Sequence, residues 1–148
     1  MTIKTKDYGD LEIKEDDVIT FPEGVYAFRD SKKFVVLNTG SEAGLMQLQS
    51  AESEDPRFII LDPYMFIEDY SPVLPEEALK TLKAGSPEDL SCFVIAVIPR
   101  DVKNSTVNLK SPVVINFKER LGMQVILENS EYPIRFRLFE NIRAEKVC

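Results

Sequence analysis

The side chains able to do chemistry are few and lie in short runs. Carboxylates cluster at Glu15-Asp16-Asp17 and at Glu52-Ser53-Glu54-Asp55. A close carboxylate pair can divide the roles of general acid and general base. Neither run has the spacing of a calcium loop with its central glycine, and both read as solvated turns. The 148 residues include no histidine and no tryptophan. Without histidine, Ser-His and Cys-His pairs are excluded and the commonest ligand of catalytic zinc is missing. No P-loop, GxGxxG turn or paired-cysteine metal motif occurs. The chain reads as a binding protein without a cofactor, not as an enzyme.

Side-chain amides and tyrosines are the more informative polar groups. The run TVNLKSPVVINFKE (106–119) is apolar at Val107, Leu109, Val113, Ile115 and Phe117, the period of a strand with one buried face. Leu109, Val113, Ile115 and Phe117 are expected to be buried, with Lys110 and Lys118 exposed. Asn108 and Asn116 lie roughly 26 Å apart if extended at about 3.3 Å per residue, too far for one compact site. Each is expected to bond backbone at a strand end or turn before it contacts a partner. Pro112 has no N–H and marks an edge or an interruption of the ladder. Parity holds across it, which argues against a one-residue bulge. Gln47, Gln49 and Gln124 sit within apolar runs and either satisfy backbone or face a partner. Tyr64, Met65, Phe66 and Tyr70 could line an apolar groove, although the same residues would serve a core equally well.

The elements that must position these groups are short strands. TIKTK and DLEI form a hairpin about Asp7-Tyr8-Gly9-Asp10, and VITF leads into a tight turn at Pro22 and Gly24. FVVLN (34–38), LMQLQ (45–49), FIILD (58–62) and SCFVIAVI (91–98) follow. FIIL and CFVIAVI are apolar on both faces and should be central. The stretch 75–85, PEEALKTLKAG, predicts the one helix, with Pro75 at its first position and Gly85 as its left-handed cap. Ala78, Leu79 and Leu82 give it a narrow apolar stripe. MQVIL returns after a turn at 118–122. YPIRFRLF closes the array, with Ile134, Phe136 and Leu138 on one face and Arg135 and Arg137 on the other. The pattern predicts a mainly β, compact, antiparallel barrel or sandwich in one domain with one short surface helix.

Composition limits the partners. The longest apolar run is far too short to span a bilayer, and the polar N-terminus is no signal peptide, so no membrane is involved and cytoplasm is the expected location. Cys92 is expected as a buried free thiol, not paired with Cys148. Residues 1–74 hold 7 Lys and Arg against 15 Asp and Glu, a net of −8, while 75–148 hold 11 against 10. That balance disfavours direct binding of nucleic acid and permits a basic protein partner.

Several segments together resemble one family. NLKSPVVIN followed by RLGMQVIL, LQS at 48–50, DP at 62–63 and FPEGVYAF are similar, in order and spacing from about residue 3 to 138, to the bacterial flagellar assembly factor FliW family. Ala27, Met46 and Ser111 depart from residues frequent there, a glycine, an aromatic and an alanine. The resemblance implies a cytoplasmic, β-barrel-like, non-catalytic protein of residues 1–148 that binds flagellin. It also implies binding of the RNA-binding translational regulator CsrA, whose sequestration relieves repression of flagellin translation. The factor is expected to be monomeric when free. Partner contact is expected among Gln47, Gln49, Glu52, Glu54, Asp55, Asp62, Tyr64, Phe66, Tyr70, Asn108, Asn116 and Gln124. The alternatives are a small-ligand-binding barrel, with the glutamines and Asp62 lining its cavity, and a structural oligomer subunit.

Overall fold

Alternating apolar residues bounded by Gly, Pro and Asn turns form strands through most of the chain, and a computed structural model describes residues 1–40 and 44–139. β1 (Thr2–Thr5) and β2 (Gly9–Glu12) make the N-terminal hairpin. β3 (Ile19–Thr20), β4 (Lys33–Asn38), β5 (Met46–Ser50), β6 (Arg57–Leu61) and β7 (Ser91–Val97) follow. β8 (Thr106–Val107), β9 (Val113–Asn116), β10 (Leu121–Gln124) and β11 (Phe136–Arg137) complete the set. The order β7-β6-β5-β4-β3-β10-β9 closes on itself through a β7–β9 pairing, so seven strands form a barrel. β8 and β11 extend from the C-terminal half of β7. The expected antiparallel pairing holds except between β10 and β3, which meet in parallel at Leu121 and Thr20.

Three apolar clusters follow from the period-2 alternation. Phe21, Phe34, Leu48, Ile60, Val113 and Ile115 fill the barrel interior. Leu61, adjacent to Ile60, points the other way, into an outer layer with Val94, Val107, Leu109 and Tyr70. A second outer layer packs Val114, Val125 and Leu127 beneath Ala78 of the α-helix α1 (Glu76–Thr81) and its C-cap, Leu82. Burying one such aliphatic side chain contributes roughly 1.5–3 kcal/mol.

The run 106–119 is two strands, not one. β8 pairs with Ala96 and Val97, whereas β9 pairs with Ser91, Cys92 and Phe93, so both use the same edge of β7. The chain crosses between them at 108–112, and Pro112 lies in that break. Val107 and Leu109 therefore join an outer layer while Val113 and Ile115 face the interior, despite their shared parity. β9 ends at Asn116, which leaves Phe117 past the ladder and 47% exposed instead of buried; Lys110 is only partly exposed.

Three smaller expectations also change. α1 ends four residues before Gly85: Lys83 takes the left-handed conformation (φ 52°), with Ala84 N–H donating to the Leu79 carbonyl and Lys83 N–H to that of Lys80. Pro75 is the N-cap instead of the first helical residue. β11 holds two residues, so Ile134 lies outside it and is 60% exposed. At the tip of β7, Val97 and Ile98 are exposed rather than buried, and Phe58 and Ile59 are only partly buried. The expectation about Cys148 lies outside the described residues; Cys92 is a free, partly buried thiol whose pKa burial pushes up to about 12, with a smaller push from Asp62.

Candidate partner-binding surfaces

Most of the expected contact residues are committed to backbone. Gln49 is fully buried on β5, where its Nε2 donates to the carbonyls of Glu54 (3.0 Å), Ser50 (3.3 Å) and Ser53 (3.4 Å). Buried Gln47 donates to Gln49 Oε1 at 2.8 Å. A buried amide left unbonded costs about 1–3 kcal/mol, so the pair fixes the 50–55 loop above the strand. Within that loop, Glu52 Oε1 accepts from the N–H of Lys32 (2.9 Å) and Lys33 (3.1 Å). Asp55 pairs with Lys6 and, at 2.6 Å, with Arg57, which also reaches Asp7 at 2.9 Å, tying the N-terminal hairpin to β6. The hydrogen bond from Lys6 holds the Asp55 carboxyl below its usual range, with the Lys6 and Arg57 charges assisting against burial. Glu54 alone of the three acids has no side-chain bond among the described residues.

The crossing at 108–112 satisfies its backbone without a ladder. Asn108 N–H donates to Ile95 O, and its Oδ1 accepts from Lys110 (3.1 Å) and Ser111 (3.0 Å). Leu109 N–H donates to Pro133 O, and the Leu109 carbonyl accepts from the hydroxyl of Tyr70 at 2.7 Å. Tyr70 is buried, which raises its pKa, and its ring meets that of Tyr132 edge-on at 4.8 Å. Gln124 Nε2 donates to Ser111 O (3.2 Å), while its Oε1 accepts from Tyr26 N–H (2.9 Å). Asn116 Nδ2 donates to the Leu82 carbonyl at the end of α1 (2.7 Å), and its Oδ1 accepts from Glu119 N–H (3.3 Å). A buried C-terminal carbonyl of a helix must find a donor, and Asn116 supplies it from the barrel wall. The two asparagines are therefore not brought together.

Of the aromatic candidates, Phe66 packs against the outer layer and Tyr64 is half exposed beside Met65. Asp62 caps the 3₁₀ turn Pro63–Met65 by accepting from Tyr64 N–H at 2.9 Å. Neither Asp62 nor the β5 glutamines line any of the three main surface grooves. The largest, about 700 Å³, runs between 71–78 and 123–132. Its exposed apolar residues, Val73 and Ile126, were not anticipated from the sequence, and neither was Tyr26. The signal for Ile126 was the uncharged run GMQVIL beside a broken strand.

The comparisons with known proteins bear on this architecture. A family model described as FliW protein matches residues 2–138. The chain belongs to the FliW family. It is 42% identical to a flagellar assembly factor FliW of Caldicellulosiruptor saccharolyticus, covering 96% of this chain and 93% of that one. A flagellar assembly factor FliW of Bacillus licheniformis is 39% identical over 89% of this chain and 92% of its own. The crystal structure of a flagellar assembly factor FliW superposes with a TM-score of 0.88 at 33% identity, covering 93% of this chain and 96% of that one. FliW relatives thus share both the sequence and the mainly β fold, and their names describe assembly factors, not enzymes. Among the described residues, no helix is long and apolar enough to cross a membrane.

Proposed function

We propose that this chain is a cytoplasmic, non-catalytic flagellar assembly factor, monomeric when free, that binds flagellin and the regulator CsrA in turn. Bound CsrA is withheld from flagellin messages, so export of flagellin frees the factor to lift repression. The observation that carries the reading is the FliW match along residues 2–138. Charge supports it: an RNA-binding regulator is basic, and the −8 of residues 1–74 favours its encounter. Purified chain used as bait should capture both purified flagellin and purified CsrA, each displacing the other. Capture of neither would end this reading. The small-ligand alternative is disfavoured, because the barrel interior is packed with buried apolar side chains and the glutamines face away from it.

A further inference from the structure

The groove between 71–78 and 123–132 has two unlike walls. Ser71, Val73 and Pro75, alternate residues of an extended strap, line one side, joined by Glu77 and Ala78 from the first turn of α1. On the other side every residue from 123 to 130 takes part. Because neighbouring side chains of an extended chain point to opposite faces, an unbroken run means that the backbone edge itself borders the groove. Hydrogen bonding agrees. Val125 and Leu127 N–H donate to the crossing at Pro112 O (2.9 Å) and Lys110 O (2.8 Å), so the amide of Ile126 points away from it. That N–H meets no acceptor among the described residues, while the Ile126 carbonyl accepts from Glu128 N–H at 3.0 Å; β3 covers this edge only at Leu121.

Open edges are normally guarded by lysine, proline or a bulge. The run Gly122–Leu127 carries no charge and no proline, and Ile126 (47%) and Val73 (86%) stand exposed on either side. Among the described residues, the charged ones lining the groove are Glu77 and Glu128. We propose that this groove takes an extended, apolar peptide segment of a partner protein, added as a strand at Ile126 and placing a basic side chain near Glu77 or Glu128. The inference rests on the reading of the chain as a protein-binding factor and adds where, and in what conformation, a partner is held.

The test uses the full chain and an eight-residue peptide alternating valine and lysine. Two controls accompany it: the same peptide with glutamate for lysine, and one N-methylated at alternate amides. The lysine peptide should shift and protect the Ile126 amide in NMR, and both controls should bind at least tenfold more weakly. Ile126→Pro, which removes an unbonded N–H, should weaken binding tenfold; if that variant fails to fold, Ile126→Lys serves as an edge guard with the same expectation. Binding that ignores N-methylation, or that leaves Ile126 unshifted, would overturn the proposal. So would dimerisation of the free chain through this edge. Peptide binding at Ile126 without capture of flagellin or CsrA would leave the edge standing and remove only the partners named above.

Discussion

The segments 108–116 and 121–127 lie side by side, and they treat their polar groups in opposite ways. In the first, Asn108, Tyr70 and Gln124 meet the backbone groups that the broken ladder strands, and Asn116 caps α1. In the second, the inward amides bond to that same crossing while the outward Ile126 N–H has no acceptor among the described residues. The contrast separates construction from availability. A distinctive polar motif can be distinctive because it builds the fold, whereas a plain apolar run can hold the free surface. Glu52 and Glu54 repeat the lesson on a smaller scale, since the first caps two backbone amides and the second is left to solvent.

The deepest break on the building side is Ile115→Ala. Ile115 is fully buried in the barrel interior, so the change should cost about 2–5 kcal/mol in denaturant titration. A loss under about 1 kcal/mol would mean that the interior can collapse around the gap. Asn116→Ala should come next, at about 1–3 kcal/mol, because it orphans the buried Leu82 carbonyl. Hydrogen exchange should then quicken through 78–84 before the barrel strands; uniform quickening would deny the link between helix and wall.

These two residues also show what the sequence made legible. Local signals placed most strands, the hairpins and the helix, because turns and alternation are written in neighbouring residues; Pro112 was legible only as an edge or an interruption. Barrel closure was not legible, since the β7–β9 and β10–β3 pairings join distant segments. Phe117 was misplaced because alternation continues past the point where Asn116 turns the chain. Gln47 and Gln49 could not be assigned because a buried amide looks the same whether it braces a loop or meets a partner. Parity suggested one face for 107–117, and only the crossing shows that Val107 and Ile115 lie on opposite sides of the wall.

A smaller effect has the opposite sign. The turn Val25–Phe28 closes with Phe28 N–H on Val25 O at 2.7 Å and holds Ala27 at φ 73°, the third position of a type II turn, where glycine is preferred. Ala27→Gly should stabilise the chain by about 0.5–1 kcal/mol, less than the full left-handed penalty because glycine gains freedom when unfolded. A lowered unfolding midpoint would show that the turn is not strained. The smallest stability effect belongs to Glu54→Lys, within about 0.5 kcal/mol of the parent, since no side-chain bond is lost. Its signature is kinetic: stopped-flow association with CsrA should slow, and its salt dependence should flatten. Equal rates at low and high ionic strength in the parent would make the acidic half a solubility device.

The contrast between building and binding is tested most directly by the affinity of Asn108→Ala for flagellin and CsrA, measured below its unfolding midpoint. Losing two hydrogen bonds to Lys110 and Ser111 should cost about 1–2 kcal/mol of stability. The dissociation constants should stay within about twofold of the parent, because each 1.4 kcal/mol of lost contact would change them tenfold. A tenfold loss of affinity with an unchanged unfolding midpoint would place Asn108 in the interface and contradict the account.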